Sequence, residues 1–485
     1  MNIMAQALFI LCLVALPAAA QPQQKLAPEA AKVSLWLCDL PPARAGASFF
    51  GVLGGISATH LGPGVAVVRQ SGPAALYDDA QALQGTQQAV RMRVDYLRLL
   101  SGAGITVFRD VQNIPWGLIE VSPSLDRYEV IDGILSSVAA VDGSFVGTVM
   151  PYAAWDLAAY PPTTSEMCKR LLTEDFFYLQ HDGRMDRYRD EAAYLRFLER
   201  VVERYDGDGI DDAPDLETPI RAWQIHNEPE GDQCGLFRND VAAFVRLMQI
   251  SAGVIHRSCP DCVVVNGGAG IPLFHENRNP VPAGVTFWRD YAAMGGAASV
   301  DVIAAHYNQG KDPDHGSIDD LEYQIRRLRE LLGNDKPVWL TEFGVFVGFG
   351  GNFSALPEAE AAAWYVRFYT AGLAAGATRF FSDAPSFVQI DGTTYLPYFV
   401  NKLLDAKLGG FTSAQKIASG QYQFRVNGRE VYVLWSEAPD ALRGTVDVTD
   451  MYGKRTRAEA SSLHPTQLSP LIVEPALSKR RRAVR

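Results

Sequence analysis

Eight short β-rich runs alternate with helical stretches along most of this 485-residue chain. Strands that are joined through helices run parallel, and eight such units suit a closed barrel better than an open sheet. The glycine-rich stretches also lack the GxGxxG spacing of an open dinucleotide-binding sheet. The alternation therefore predicts an α/β fold, a (β/α)8 TIM barrel. Its strands are predicted at 48–55, 105–110, 145–156, 221–226, 262–268, 300–308, 336–344 and 377–385.

The helices of the barrel are predicted from apolar residues that recur three and four positions apart. Each predicted helix lies between two of the β-rich runs, as crossover connections in a parallel sheet require. The segment 189–204 is strongly amphipathic, and the other predicted helices span 79–100, 128–140, 240–256, 318–332 and 358–375.

The composition changes after about residue 408. A β-rich run at 422–426, the dipeptide Asn427-Gly428 and a second run at 430–435 predict a hairpin, because Asn-Gly is the strongest short hairpin signal. Runs at 445–453 and 468–475 add strands to a small antiparallel sheet, and 33–38 is a further candidate strand for it. The predicted order is a signal peptide (1–20), a leader (21–47), the barrel (48–407), a β domain (408–478) and a basic tail (479–485).

The charge balance limits the partners of the chain. Its net charge of −11 and its pI near 5.3 would repel nucleic acid and anionic membranes. The tail KRRRAVR is the exception, and we interpret it as a solvated end, with an anchor to an anionic surface as the alternative. Residues 1–20 hold an apolar core followed by Ala18-Ala19-Ala20, which is typical of a cleaved secretory signal and too short for a membrane span. We expect a secreted or periplasmic monomer.

Export makes disulfides possible. Without Cys12, which lies in the signal, an odd number of cysteines remains, so at least one thiol stays unpaired or pairs elsewhere. The CPDC stretch has redox-motif spacing, but it follows a predicted helix, whereas a thioredoxin-like pair opens one. It is interpreted as a structural bridge or as free thiols. The candidate pairs are Cys259 with Cys262 and Cys168 with Cys234.

The stretch DGDGIDD resembles a short calcium loop. Asp206, Asp208 and Asp212 are spaced to converge as oxygen ligands, but a bidentate glutamate is missing at the usual interval. A solvated acidic loop is therefore the alternative. The eight histidines form no HExxH pair, and no zinc-ligand spacing occurs. We expect that no cofactor is required and that calcium is the candidate structural ion.

Two of the predicted strands end in a glutamate. One run stops at Asn227-Glu228-Pro229, because proline cannot donate to a sheet ladder, and another delivers Glu342 just before Gly344. All strands of a barrel point the same way, so the residues at their carboxyl ends line one opening. Two glutamates at one opening are typical of glycosidic bond cleavage. The residues predicted there are Arg109, Trp155, His226, Asn227, Glu228, His306, Tyr307 and Glu342.

With HNEP on the fourth strand, AHYN on the sixth and LTEFG on the seventh, the chain resembles clan A of the retaining glycoside hydrolases, in particular families 5 and 39. The similarity runs from about Ser48 to the C-terminal sheet. It implies that Glu228 is the acid/base and Glu342 the nucleophile. It also implies that Asn227 holds the sugar 2-hydroxyl, that Arg109 braces the nucleophile, and that Tyr307 or His306 hydrogen-bonds it from strand six.

These roles make electrostatic demands. The nucleophile must stay ionised, which a nearby arginine and a hydroxyl donor favour, whereas Glu228 must hold a proton near neutral pH. In a retaining enzyme the two carboxyl groups lie ~5–5.5 Å apart.

The eighth strand departs from the clan, since many members place tryptophan at its end as a floor for the sugar. This chain offers Phe381 and Asp383 there, with Phe387 later. Other aromatic residues that can stack on a sugar are Trp116, Trp155, Tyr152 and Phe346.

The sequence thus predicts an exported retaining β-glycosidase that hydrolyses O-glycosidic bonds of an oligo- or polysaccharide. The alternatives are a barrel that binds sugar without cleaving it and a transglycosylase on the same scaffold.

Overall fold

A computed structural model describes residues 25–40, 49–53, 87–110, 114–123, 125–151, 153, 155–159, 186–230, 237, 240–271, 283–307, 318–347, 355–389 and 392–476. The predicted signal peptide, the pair Cys168–Cys234 and the basic tail lie outside the described residues, as do Tyr152 and residues 79–86. Within the described part of the chain, no helix combines the length and the apolar character needed to span a bilayer.

A ring of parallel strands confirms the predicted (β/α)8 barrel. Neighbouring strands pair in chain order, and the eighth pairs with the first. The third strand ends at Met150, directly before Pro151, where the predicted run 145–156 loses its strand pattern. The strands are β1 (Phe50–Leu53), β2 (Val107–Arg109), β3 (Ser144–Met150), β4 (Ala222–Ile225), β5 (Val263–Val265 and Ala269–Ile271), β6 (Ile303–Tyr307), β7 (Val338–Phe343) and β8 (Ala377–Asp383).

The ring closes at β5, which is divided into two pieces. Val263–Val265 pairs with β4, whereas Ala269–Ile271 pairs with β6, and Val265 also bridges Val302 just before β6. Between the pieces Gly268 has a φ of 77°, a conformation that glycine adopts at little cost. The sequence predicted one uninterrupted strand at 262–268. The turn at Gly268 instead lets each piece pair with a different neighbour.

Helices of the described residues alternate with these strands and cover the barrel. Cys259 caps the fourth helix and forms a disulfide with Cys262, with their Cα atoms 5.3 Å apart, which ties that helix to the start of β5. Cys38 is also disulfide-bonded. The helices are α1 (Gln87–Ser101), α2 (Glu129–Ala139), α3 (Glu191–Tyr205), α4 (Val241–Ser258), α5 (Ala283–Ala293), α6 (Leu321–Leu332), α7 (Glu358–Ala374) and α8 (Leu396–Leu408).

The barrel has two apolar layers, because successive side chains of a strand point to opposite faces. Side chains that point outward pack under the helices, among them Phe108, Trp223 and Tyr307. Side chains that point inward fill the cylinder below the opening. They are Val107, Val146, Ala222, Val265, Val302, Ala304 and Phe381.

The C-terminal residues form a six-stranded antiparallel sheet in the order β9-β10-β11-β14-β12-β13. The hairpin predicted around Asn427-Gly428 joins β10 to β11. Two strands, β9 and β13, were not predicted. The bounds are β9 (Phe411–Ala418), β10 (Gln421–Val426), β11 (Arg429–Leu434), β12 (Thr445–Asp450), β13 (Arg455–Glu459) and β14 (Leu471–Pro475).

The leader contributes no strand to this sheet within residues 25–40, so the expectation for 33–38 is wrong. Leu35–Cys38 is a helical turn. The strand of the leader, Lys25–Leu26, pairs instead with Thr393–Thr394, just before α8. The leader contacts the sheet through a side chain instead. Trp36 Nε1 donates to the Gly453 carbonyl at 2.6 Å, and the Arg455 guanidinium lies 3.7 Å from the centre of the Trp36 ring.

The remaining short elements are the strands Ile114–Pro115, Glu120–Ser122, Leu125–Asp126, Leu157–Ala159, Asp186–Tyr188, Phe346–Val347 and Ala355–Leu356, the helical turn Trp116–Ile119, and the 3₁₀ turns Ala30–Lys32, Gly296–Ser299, Ile318–Asp320, Ala384–Ser386 and Ala460–Ser462.

Glu358 at the start of α7 joins three segments. Its carboxylate accepts hydrogen bonds from the backbone N–H groups of Glu29 at 3.0 Å, Ala30 at 2.9 Å and Leu396 at 2.9 Å.

We predict that Glu358→Ala lowers the free energy of unfolding by about 2–4 kcal/mol, because three donors lose a charged acceptor. Glu360→Ala, an exposed glutamate of the same helix turn, is the control and should change little. Denaturant midpoints measure both, and equal midpoints for the two variants would contradict this role.

Candidate active site

A buried arginine ties the carboxyl ends of three strands together. Arg109 ends β2 and is 0% exposed. Its Nε donates to Gln224 Oε1 at 2.8 Å, and its Nη2 donates to Asn227 Oδ1 at 2.7 Å. Its Nη1 donates to the Thr341 carbonyl and to Glu342 Oε1, both at 3.1 Å. A buried guanidinium needs acceptors for its donors, so these four bonds fix the ends of β4 and β7 relative to β2.

The backbone after β4 is strained where it presents the first glutamate. His226 has a φ of 68° and Glu228 a φ of 45°, in the left-handed region that non-glycine residues seldom occupy. The Glu228 N–H donates to the Gly267 carbonyl at 2.6 Å, and the His226 N–H donates to Val149 at 2.9 Å. Strain of this kind concentrates at functional sites, where the surrounding structure holds it in place.

The two glutamates face each other across the opening. One carboxylate oxygen of Glu228 lies within 4.8 Å of one carboxylate oxygen of Glu342. The Glu342 side chain is 14% exposed and that of Glu228 is 38% exposed, so both can be reached from the opening. This spacing suits the ~5–5.5 Å of a retaining pair better than the ~6.5–9.5 Å of an inverting pair, which must leave room for a water molecule.

His306 lies between the two carboxylates. Its ring is 0% exposed, and its Nδ1 is 2.8 Å from Glu228 Oε1 and 3.7 Å from Glu342 Oε2. Gly268 lies against the other side of the ring, since a Cβ placed on Gly268 would be 2.1 Å from His306 Nε2. The turn that divides β5 therefore makes the space in which His306 is held.

The electrostatics of Glu228 differ from the sequence-based expectation of a carboxyl that stays protonated near neutral pH. Burial raises the pKa of Glu228, but the hydrogen bond and charge of His306, together with Arg109, outweigh burial and hold that pKa below its ordinary value. In this arrangement the Glu228 carboxylate is the acceptor of the His306 Nδ1–H.

Two further acids lie close to the pair. Burial raises the pKa of Asp383, at the end of β8, to about 7, and the negative charge of Glu342 adds to the shift. Burial likewise raises the pKa of Glu230 to about 7, although its Oε1 accepts the Gly270 N–H at 2.7 Å. Both groups gain or lose a proton near neutral pH, in contrast to ordinary carboxyls.

Two groups of side chains in the described residues have the spacing of metal ligands. Glu228, His306 and Glu342 form one group, and the predicted loop residues Asp206, Asp208 and Asp212 form the other. In the first group the Arg109 cation already neutralises Glu342, and His306 Nδ1 already bonds Glu228. A second cation would meet Coulomb repulsion there. The aspartate group precedes β4 in the chain, at the amino-terminal face of the barrel.

The structure corrects three of the predicted substrate-binding residues. His226 is 3% exposed, and its ring packs edge-on against Phe237, with the ring centres 5.2 Å apart. Tyr307 is 0% exposed and packs outward against Phe368 of α7. Phe381 is 0% exposed inside the barrel, below the opening. None of the three rings is available to a sugar, because each is enclosed by the apolar core.

Two other predicted residues, Asn227 and Trp155, are half-buried and held by hydrogen bonds. Asn227 is half-buried, and its side chain is held by Arg109. Trp155 is half-buried, with its Nε1 bonded to the Glu120 carbonyl at 2.7 Å and its ring edge-on to buried Trp116. Sequence reasoning missed Gln224 and Glu230. Gln224 could have been found from strand periodicity, since it points to the same face as Ala222.

Comparison with solved structures identifies the fold. One similar structure is a family 39 glycoside hydrolase from the gut symbiont Bacteroides cellulosilyticus WH2, with a TM-score of 0.52 and 14% identity over 88% of this chain and 80% of that chain. Another is a GH30 endoxylanase from Clostridium papyrosolvens C71, with a TM-score of 0.51 and 11% identity over 90% and 98% of the two chains. The chain has the fold of these two glycoside hydrolases. No family model matches the sequence, and no curated protein matches it.

The contact between Gly268 and His306 can be tested by substitution. We predict that Gly268→Ala lowers the free energy of unfolding by about 2–4 kcal/mol, because the new Cβ meets the imidazole and the positive φ strains the backbone. Gly295→Ala is the matched control, since Gly295 has a φ of 84° and open space around it. It should lose only about 1 kcal/mol from strain. Urea unfolding measures the difference, and equal losses in the two variants would exclude the contact.

Proposed function

We propose that this protein is an exported retaining β-glycosidase that hydrolyses O-glycosidic bonds by double displacement. The observation that carries the proposal is the pair Glu228 and Glu342, with carboxylate oxygens within 4.8 Å of each other at one barrel opening and with the Arg109 guanidinium on Glu342. The two solved structures with this fold are described as glycoside hydrolases, which supports the same class of reaction.

Glu342 is the proposed nucleophile. Its carboxylate attacks the anomeric carbon, the bond from that carbon to the leaving oxygen breaks, and Glu228 donates a proton to the leaving oxygen. The Arg109 guanidinium donates to Glu342 Oε1 at 3.1 Å and so orients this carboxylate for the attack. Asn227 is fixed by the same guanidinium, so its amide is oriented for a sugar hydroxyl before the substrate binds.

The second displacement reverses the roles. Glu228, now a carboxylate, takes a proton from water, the water oxygen attacks the anomeric carbon, and the ester bond to Glu342 breaks. The anomeric carbon has then been inverted twice, so the product keeps the configuration of the substrate. The His306 contact stabilises the Glu228 carboxylate and so keeps Glu228 in the form from which this base step begins.

The acid step needs the opposite state of Glu228. In the free enzyme His306 favours the Glu228 carboxylate, so the proton is held by Glu228 only at a pH below its lowered pKa or after the substrate has changed its surroundings. A sugar that fills the opening removes water from Glu228, and removal of water favours the neutral carboxyl. We infer an acidic optimum for kcat/KM, which reports the free enzyme.

The end of β8 indicates how the opening holds a sugar. Phe381 lies in the core, so β8 offers no aromatic floor and instead ends in Asp383, a carboxyl with a pKa of about 7. The reacting sugar is therefore held by polar contacts more than by stacking at this strand. A screen of nitrophenyl β-glycosides identifies the sugar. It should include β-xyloside, because one similar structure is an endoxylanase.

The central experiment compares the wild type with Glu342→Gln on the substrate found in that screen. We predict that kcat falls by about 10³-fold or more, because an amide cannot form the glycosyl ester. Glu360→Gln, an exposed glutamate of α7, is the control and should keep full activity. Equal turnover in the wild type and Glu342→Gln would remove the proposed nucleophile.

The same variants separate the alternatives. In Glu342→Gly, added azide should restore cleavage and give the α-glycosyl azide, because azide takes the place of the nucleophile. A sugar-binding barrel without activity would bind glycans equally in the wild type and in Glu342→Gln and would release no nitrophenol from either. A transglycosylase would transfer the glycosyl group to added sugar in preference to water, which product analysis detects.

The pH profile tests the role of His306. The acid form of Glu228 is the active form in the first step, so kcat/KM falls as pH rises through its pKa. His306 lowers the pKa of Glu228, so the pKa of Glu228 should rise when His306 is removed. We therefore predict that His306→Ala moves the alkaline limb of the kcat/KM profile to higher pH. His306→Asn keeps a hydrogen-bond donor without the charge and should give a smaller shift. His256→Gln, at a half-exposed histidine bonded to Asp301, is the control. An alkaline limb that His306→Ala leaves in place would overturn this role.

A further inference from the structure

The loop between α3 and β4 places several carboxylates close together at the C-terminal end of a helix, where negative charge is unfavourable. Oxygens of Asp206, Asp208 and Asp212 lie within 4.8 Å of one another. Asp206 is the C-terminal cap of α3, so the group lies at the negative end of that helix dipole, which destabilises anions. Within the described residues, no lysine or arginine comes within ion-pair distance of these three aspartates, and Arg221 acts on Asp206 only from farther away.

A second observation points to a missing positive partner. Asp206 is only 1% exposed, and its Oδ2 is buried without a hydrogen-bond partner, whereas its Oδ1 accepts the Asp208 N–H at 3.2 Å. A buried carboxylate oxygen without a hydrogen-bond donor from the protein costs more free energy than an ordinary hydrogen bond contributes. A bound cation would satisfy this oxygen and the neighbouring carboxylates together.

The backbone already holds the other two aspartates in place. The N–H groups of Gly207 and Gly209 donate to the two oxygens of Asp212 at 3.0 and 2.8 Å, and the Ile210 N–H donates to Asp208 Oδ1 at 2.8 Å. The loop backbone therefore holds Asp208 and Asp212 beside the buried Asp206.

We propose that Asp206, Asp208 and Asp212 bind one structural calcium ion that ties the end of α3 to the segment leading into β4. Oxygen-only ligands select a hard cation, and Ca²⁺ accepts an irregular set of carboxylates, carbonyls and waters, whereas Mg²⁺ demands near-ideal octahedral geometry. The ion lies at the amino end of β4. It acts on stability, because Asn227 and Glu228 follow the opposite end of that strand.

The test uses the full-length protein stripped with EDTA and titrated with CaCl₂ at constant ionic strength. Isothermal calorimetry of the wild type should give one site, with a Kd of about 10⁻⁵–10⁻³ M, the range between sensor and extracellular calcium modules. Calcium should raise the thermal midpoint by several degrees, and EDTA should reverse the rise. A wild type with no binding heat and no shift up to about 10 mM CaCl₂ would overturn the proposal.

A matched pair of variants separates ligation from general attraction to negative charge. Asp208→Asn removes a ligand and should weaken calcium binding at least tenfold. Asp211→Asn removes the same charge from the same loop, outside the ligand group, at a φ of 50° that asparagine also tolerates. It should bind calcium nearly as the wild type does. Equal weakening in both variants, or an equal effect of MgCl₂ on the wild type, would show charge screening and contradict the site. Should Asp208→Asn fail to fold, Asp212→Asn and the wild-type titration still decide.

Discussion

The buried guanidinium of Arg109 is the interaction on which the arrangement at the barrel opening depends. A fully buried cation is costly unless its donors are satisfied, and here they are satisfied by groups of β4, β7 and the turn after β4. Two of those acceptors are the side chains of Asn227 and Glu342. The requirement to compensate one buried charge therefore places two of the proposed functional side chains before any substrate is present.

The same logic explains why the two glutamates are not equivalent. Glu342 is bonded to a permanent cation, whereas Glu228 is bonded to a histidine, whose charge depends on its own proton. Arg109 thus fixes the position of the Glu342 carboxylate, whereas the contact with His306 lowers the pKa of Glu228. Near them, Asp383 and Glu230 have pKa values raised to about 7, so the number of negative charges around the opening changes with pH near neutrality. The charge of Glu342 adds to the raised pKa of Asp383, and the charge of Glu228 adds to that of Glu230, so these acids act on one another.

The sequence predicted the barrel and the meeting of Arg109, Asn227, Glu228, His306 and Glu342, because both follow from strand direction alone. It misplaced Tyr307 and Phe381 because the direction of a strand does not say which face a side chain takes. In β6 the inward residues are Ala304 and His306, so Tyr307 must point to the helices. In β8, Phe381 points inward but packs in the apolar interior of the barrel, below the opening where a ligand would bind. His226 fails for another reason, since its left-handed backbone turns the ring out of the strand pattern.

What the sequence could not supply is the turn at Gly268, because a glycine in a β-rich run is compatible with a strand, a bulge or a break. In the folded protein this glycine divides β5, closes the ring and leaves the space that the His306 ring fills. The break in β5 affects Glu228 through two contacts. His306 bonds the Glu228 carboxylate, and the Gly267 carbonyl accepts the Glu228 N–H. The break in β5 therefore belongs to the site as much as to the fold: a continuous strand would close a barrel, but it would leave no room for the histidine that sets the charge of Glu228.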